Sequence, residues 1–358
     1  MLRFHPLTLE SKAAIADDAV CLTFAVPESL REEYRFAAGQ HLALRIDAED
    51  GERRTYSIMS PEGSTQLRIG VRAHPCGRIS TFLMQRLAVG DRVDVLTPNG
   101  SFHSRVDPAR VARRVAFAAG SGITPVLSIA ATVLEREPRG SFLLFYGNRT
   151  AASTMFLDEV MALKNRFPTR LAVHWLFSRE PQDIDILNGR IDAAHVRAFA
   201  RVFFDAPTVD EYFLCGPGSM NDDIAAALRT LGAVGPIHTE FFGAAAVPPT
   251  PQIVAPPPAP VAAPGLTRIT VTMDGRRRSF EMATQGGETV LEAAERAGLD
   301  LPYSCRAGVC STCRTKVTSG AVAMDQNHAL EDWELAEGFV LCCQSRPTSA
   351  ELEITYDE

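Results

Sequence analysis

No apolar run of about 18 residues occurs in the 358-residue chain, so no membrane-crossing helix is expected. The N-terminal segment Met1–Val20 lacks the apolar core of a secretory signal, because Glu10, Lys12, Asp17 and Asp18 interrupt it. There is no basic excess. The net charge is −7, which argues against a nucleic-acid partner. The eight histidines form no H-E-x-x-H or other paired metal spacing, and no Ser/His/Asp hydrolase arrangement stands out. Cys21, Cys76 and Cys215 are scattered and supply no disulfide framework, which fits a reducing, cytoplasmic compartment. No internal repeat is visible. What is present is an ordinary soluble, globular composition, 46% apolar and 22% charged, at a length that expects two or three domains.

The remaining cysteines carry the most information. Cys305, Cys310 and Cys313 read C-x4-C-x2-C, and a fourth ligand comes from Leu341-Cys342-Cys343-Gln344. That is the spacing of a plant-type [2Fe–2S] cluster. Small residues around Gly308 would let backbone N–H groups approach the cluster sulfurs. Cys343 is expected as the fourth ligand, although spacing alone does not separate it from Cys342. Zinc is disfavoured, since zinc sites prefer repeated C-x2-C pairs and only one is present.

Residues 1–110 look all-β. His41–Ile46 and Leu67–Arg72 alternate with period two, Asn99-Gly100 marks a turn, and Thr81–Leu87 suits one short helix. Residues 111–243 alternate strand and helix. Val115–Ala118 leads into Gly120-Ser121-Gly122-Ile123-Thr124-Pro125, with Thr124 as helix cap and Pro125 at the first helical position. Further strands, Phe142–Tyr146, Ala172–Phe177 and Tyr212–Leu214, end at Asn148-Arg149, Ser178-Arg179 and Cys215-Gly216-Pro217. Loops at such strand ends are where an open α/β sheet binds its ligand. Residues 244–265, rich in proline and alanine, read as a semi-rigid linker. Residues 266–358 open with the strand Ile269–Met273 and the turn Asp274-Gly275. A helix over Val290–Ala297, stopped by Gly298, precedes the cysteine loop, and Leu352–Ile354 is a final strand. From Thr267 onward there are nine Lys+Arg against fifteen Asp+Glu, so six of the seven net negative charges lie there. A protein partner with a complementary basic patch is expected.

Arg54-Thr55-Tyr56-Ser57, followed by Gly77-Arg78-Ile79-Ser80 at a helix start, resembles the flavin domain of the ferredoxin–NADP reductase superfamily. The form Gly120-x-Gly122-Ile123-Thr124-Pro125, with proline in place of a third glycine, is also that superfamily's rather than a dehydrogenase's. The resemblance implies an antiparallel β-barrel flavin domain, an α/β parallel-sheet nicotinamide domain and an α+β, β-grasp ferredoxin domain. It places Arg54, Gly77 and Ser80 on the FAD pyrophosphate, Tyr56 on the isoalloxazine and Ser57 near its N5 edge. Thr55, Val71, Arg78, Ile79 and Thr124 complete the FAD contacts. NADPH contacts fall to Gly120, Gly122, Thr124, Pro125, Asn148, Arg149, Ser178, Arg179, Cys215, Gly216, Pro217 and Met220. Cys215 stands beside the nicotinamide. Glu240, in Glu240-Phe241-Phe242, either folds over the flavin or merely ends a strand. Tyr56, Ser57, Cys215 and Glu240 are the expected catalytic group.

Ser178 and two arginines suit a 2′-phosphate, so NADPH is favoured over NADH. FMN is the alternative to FAD. Tyr146–Thr150, Phe177–Pro181, Leu187–Ile191 and Leu341–Pro347 resemble the reductase subunits of phenylacetyl-CoA epoxidase complexes. That family implies electron delivery from NADPH through FAD and [2Fe–2S] to oxygenase subunits with a di-iron centre. The long proline-rich linker and Ile79 depart from its pattern. A reductase for a steroid hydroxylase or Rieske dioxygenase, or a non-enzymatic electron carrier, are the alternatives.

Overall fold

The computed structural model describes residues 2–46, 51–74, 77–242, 252–254, 265–284 and 287–357. The chain divides into two compact units, Arg3–Ala245 and Ala246–Glu358. The first opens with strands β1 (Phe4–Ala16), β2 (Ala19–Ala25), β3 (His41–Arg45), β4 (Arg53–Ser57) and β5 (Leu67–Arg72), helix α1 (Arg78–Gln85) and β6 (Arg92–Leu96). They form an antiparallel sheet in the order β4-β3-β6-β1-β2-β5. A bridge between Ile58 and Ile69 brings its two edges together, so the sheet curls into a barrel. Period-two patterning fills the interior: Leu67, Ile69 and Val71 of β5 meet Leu7, Leu22 and Leu44. Helix α1 caps this core with Ile79 and Leu83. It begins three residues before the expected Thr81, because Gly77 already supplies the extended N-cap.

The second half of this unit runs β7 (Arg113–Ala119), α2 (Ile123–Arg136), β8 (Ser141–Asn148), α3 (Leu157–Arg166), β9 (Leu171–Phe177), α4 (Ala193–Val202), β10 (Glu211–Gly216), α5 (Gly218–Thr230) and β11 (Ile237–Phe241). The sheet is parallel, ordered β11-β10-β7-β8-β9. Its strands are apolar on both sides because helices cover both faces. Ala116, Ala118, Leu144 and Phe213 pack with α2 and α3, while Val115, Phe117, Phe145 and Leu214 pack with α4 and α5. The expected cap at Thr124 is not used. Gly122 is the N-cap, Pro125 is the third helical residue, and the Thr124 hydroxyl donates to the Ser121 carbonyl at 2.9 Å.

Barrel and α/β half are stitched together. A Cβ on Gly70 of β5 would stand 2.7 Å from the Phe156 ring and 2.9 Å from both Met155 and Thr124. The Ser128 hydroxyl donates to the Ser60 carbonyl at 2.6 Å. Arg114 is wholly buried. It donates to Glu137 at 2.6 and 3.0 Å and to Glu211 at 2.7 Å, and Ser104 donates to Glu211 at 2.6 Å.

The second unit contains β12 (Gln252–Val254), β13 (Leu266–Met273), β14 (Arg276–Ala283), α6 (Val290–Arg296), β15 (Arg314–Ser319), β16 (Val322–Met324), α7 (Asp332–Ala336), β17 (Phe339–Leu341), β18 (Ser345–Pro347) and β19 (Glu351–Thr355). The main sheet is β14-β13-β19-β15-β17, with β13 and β19 parallel at its centre and α6 packed into its core. This is the β-grasp arrangement expected. Asp274 and Gly275 both take positive φ, 57° and 69°, which makes the tight turn of the β13–β14 hairpin. Thr289 and Glu292 form a reciprocal capping box on α6, and Gly298, at φ 76°, ends it. The stretch expected as linker, 244–265, lies outside the described residues apart from 252–254 and 265. There Gln252–Val254 forms β12, which pairs antiparallel with β16 in a small sheet, β12-β16-β18. Gln-Ile-Val is a short strand-forming run between prolines.

Candidate functional site

Strand register brings four polar side chains together where barrel and α/β half meet. His41 and Ser57 are direct partners across β3 and β4. Cys215 and Glu240 are direct partners across β10 and β11. Ser57 donates its hydroxyl to Glu240 Oε2 at 3.2 Å, and the Cys215 thiol reaches the same oxygen at 3.9 Å. His41 Nδ1 lies 3.9 Å from Glu240 Oε1. Burial pushes the Glu240 carboxyl up to about 8, against the pull of the Ser57 and Cys215 hydrogen bonds. Burial, then the neighbouring Glu240, raise the Cys215 thiol well above its ordinary range. Tyr56, next to Ser57, is half-buried, and burial raises its hydroxyl as well. Three of the four were expected from the sequence. His41 was not, because its pairing with Ser57 exists only once β3 and β4 are in register.

Farther along the barrel, Glu52 takes Arg54 at 3.0 Å on one oxygen and Arg78 at 3.7 Å on the other. Two guanidinium groups thus converge on one anion at the N-terminus of α1. A cleft of about 410 Å³, lined by Glu52, Gly77, Arg78, Ile79 and Phe82, opens there. This donor set fits the pyrophosphate of a flavin nucleotide, with Glu52 standing in for the ligand's charge. Ser80 is buried and turned inward. Its hydroxyl donates to Gly77 O at 3.2 Å and accepts the His74 N–H at 3.3 Å. Val71 points into the barrel core, and Thr55 is half-buried on β4.

On the α/β sheet the glycines answer to close approach. A Cβ at Gly122 would stand 2.1 Å from the Cys215 carbonyl oxygen, and one at Gly216 would stand 2.4 Å from the Met220 methyl. Gly120 takes φ +55° and lies under Arg72, whose guanidinium would be 2.9 Å from a Cβ there. Arg72 also donates to the Ser153 carbonyl and pairs with Asp18 at 3.0 Å. The other oxygen of Asp18 holds Arg149. Arg149, expected on a 2′-phosphate, is therefore already engaged by the β1–β2 turn. Thr124 and Pro125 are buried within α2, and Pro217 caps α5. Asn148 is buried at the end of β8. Neither end of its carboxamide makes a well-formed hydrogen bond, and it sits beside the Tyr146 hydroxyl. Ser178 and Arg179 follow β9, Arg179 exposed, and neither side chain has a hydrogen bond or ion pair among the described residues. An orphaned buried amide, a free hydroxyl and a free guanidinium at strand ends fit a dinucleotide.

In the second unit, Cys305 lies within hydrogen-bond reach of Cys310 and Cys343, and Cys343 of Cys313. Arg306, Gly308 and Ser311 all take positive φ, which curls the loop so that main-chain donors face sulfur. Ala307 N donates to Cys305 Sγ at 3.3 Å, Cys305 N to Cys310 Sγ at 3.5 Å, and Gln344 Nε2 to Cys343 Sγ at 3.5 Å. Cys342 turns the other way. It is wholly buried, faces the Tyr356 hydroxyl, and burial raises its thiol. The geometry therefore separates the two adjacent cysteines where spacing did not. Four linked sulfurs with N–H donors fit a [2Fe–2S] cluster.

Comparison with known proteins agrees with this division. An oxidoreductase FAD-binding domain model matches residues 6–104, an oxidoreductase NAD-binding domain residues 117–226, and a 2Fe-2S iron-sulfur cluster binding domain residues 271–348. The chain is 40% identical to a subunit of the 1,2-phenylacetyl-CoA epoxidase of Escherichia coli (strain K12) over 359 residues, covering 100% of this chain and 99% of that one. It is 33% identical to the ferredoxin reductase component of 3-ketosteroid-9-alpha-monooxygenase from Mycobacterium tuberculosis, covering 99% and 97%. Phthalate dioxygenase reductase, a modular structure for electron transfer from pyridine nucleotides to [2Fe–2S], superposes with a TM-score of 0.57 at 25% identity, covering 98% of each chain. With FAD-binding, NAD-binding and 2Fe-2S domains in one chain, and relatives of matching length, this protein belongs to the oxygenase-reductase family that includes that 1,2-phenylacetyl-CoA epoxidase component and is an NAD(P)H-dependent oxidoreductase.

Proposed function

We propose that the chain takes electrons from NADPH and delivers them singly to the di-iron oxygenase subunits of a phenylacetyl-CoA epoxidase complex. FAD, when bound, accepts an electron pair and releases single electrons, as a [2Fe–2S] centre requires. Arg54, Arg78 and the N-terminus of α1 would hold its pyrophosphate, and Tyr56 and Ser57 its ring. Gly120 and Gly122 give the dinucleotide a close approach to the backbone. Cys215, Gly216, Pro217 and Met220 form the wall beside the nicotinamide. Glu240 keeps a protonated carboxyl at neutral pH next to Ser57, ready to exchange a proton at the reacting edge. Cys305, Cys310, Cys313 and Cys343 would hold the cluster.

The free Ser178–Arg179 pair supports the 2′-phosphate reading, while Arg149 reaches that phosphate only by leaving Asp18. Full-length similarity to the epoxidase component is the observation that carries the partner assignment. A steroid monooxygenase partner is the second reading, favoured by the 33% relative. Purified chain, NADPH and phenylacetyl-CoA epoxidase oxygenase subunits should give product-coupled NADPH oxidation. Coupling with steroid oxygenase subunits alone would overturn the assignment.

A further inference from the structure

The tip of the β1–β2 hairpin, Asp17-Asp18, rests against the α/β half. The Ala73 N–H, just past β5, donates to the Asp18 carbonyl at 2.9 Å, and the Asp17 N–H donates to the Ala152 carbonyl at 3.4 Å. The tip thus meets the loop between β8 and α3, which begins at Arg149. That loop is tied in turn to the end of β9. The Ser178 N–H donates to the Asn148 carbonyl at 3.0 Å, the Arg179 N–H to the Arg149 carbonyl at 2.9 Å, and the Ala151 N–H to Glu180 at 2.8 Å. The barrel therefore delivers a carboxylate, Asp18, to the pair of strand ends that carries Ser178, Arg179 and Arg149.

The two oxygens of Asp18 have different neighbours. Oδ2 holds Arg149, and Oδ1 lies 3.0 Å from Arg72 Nε. Arg72 has a second hold, since it donates to the Ser153 carbonyl and stands over Gly120. Arg149 has none. Its side chain is 47% exposed, and Asp18 is its one ion-pair partner among the described residues. Glu180, the other carboxylate of this loop pair, is taken up by the Ala151 N–H. A carboxylate and a phosphate offer a guanidinium the same pair of acceptor oxygens. Asp18 and a 2′-phosphate therefore compete for Arg149. The carboxylate also repels a phosphate brought beside it, so both effects weaken phosphate binding.

We propose that Asp18 is a specificity-determining residue that acts through Arg149. It holds the guanidinium in the nucleotide-free chain, and a 2′-phosphate binds by taking Arg149 over from it. This rests on the 2′-phosphate reading of Ser178 and Arg179. A dinucleotide that lacks the 2′-phosphate leaves the Arg149–Asp18 pair intact and feels no competition. Asp18 thereby narrows the preference for NADPH over NADH below what the two arginines alone would give. The residue that sets this preference lies on the barrel, outside the sheet that binds the nucleotide.

The test uses the oxidised holoenzyme and two probes that differ only in the 2′-phosphate, adenosine 2′,5′-bisphosphate and adenosine 5′-phosphate, with dissociation constants read by calorimetry. Asp18→Asn should tighten the bisphosphate by about two- to fivefold, the range of an exposed ion pair, and leave the monophosphate unchanged. The gain should vanish when Arg149→Ala is also present. Bisphosphate binding no tighter than wild type, an equal gain on both probes, or a gain that survives without Arg149 overturns the proposal. If Asp18→Asn does not fold, the Arg149 side-chain N–H resonance of the labelled wild type, assigned by its loss in Arg149→Ala, decides. It should move with the bisphosphate and stay in place with the monophosphate; the same response to both probes overturns the proposal. The parent reading is separated by the wild type and Arg179→Ala. Equal binding of the two probes by both chains removes the 2′-phosphate site itself, whereas a wild-type preference for the bisphosphate that Asp18→Asn leaves unchanged removes Asp18 alone.

Discussion

Cys342 and Cys343 are chain neighbours with opposite fates. The main chain at the end of β17 turns one sulfur into the core toward Tyr356 and the other toward Cys305 and Cys313. Cys343→Ser should abolish the visible absorption of the cluster, while Cys342→Ala should keep it. Retention in both would assign the fourth ligand elsewhere. Arg179 makes the second prediction at this scale. Arg179→Ala should raise the NADPH KM about tenfold or more, the loss of one charge-assisted contact, and leave the NADH KM nearly unchanged. Equal effects would remove the 2′-phosphate argument. Motif residues were legible because glycine, proline and cysteine state their reasons locally. His41, Arg72 and Asp18 were not, since each matters through a partner that only folding brings near.

Among the elements, β7 carries the clearest stability argument. Arg114 is a buried cation held between the Glu137 and Glu211 carboxylates. Burial alone would depress the guanidinium, but the two hydrogen-bonded carboxylates raise it instead. Arg114→Leu leaves the Glu137 carboxylate without its buried cation and Glu211 with only Arg110, at 2.9 Å, and should cost about 3–5 kcal/mol in equilibrium unfolding. A loss under about 1 kcal/mol would mean that water or a neighbouring arginine compensates. The periodic strands β3, β5 and β9 were readable within a residue or so. The starts of α1 and α2 were not, because Gly77 and Gly122 cap them through backbone conformation rather than a side chain. β12 was hidden by its proline-rich surroundings.

At the scale of the molecule, three cofactor modules share one chain but divide as two compact units. Cys310→Ser should therefore erase the cluster yet keep FAD and NADPH–ferricyanide turnover within about twofold of wild type, as expected for separately folding units. Loss of FAD from that variant would show that the units fold as one. The negative charge is also modular, six of seven net charges lying from Thr267 onward. Within the first unit the halves are less separable. Gly70 on the barrel leaves the hollow that the Phe156 ring fills from the α/β half. Recombination among reductases is thereby constrained: a chimera that joins a barrel bearing any larger residue at this position to an α/β half retaining the phenylalanine would meet a steric clash at the breakpoint, so the two must be inherited together.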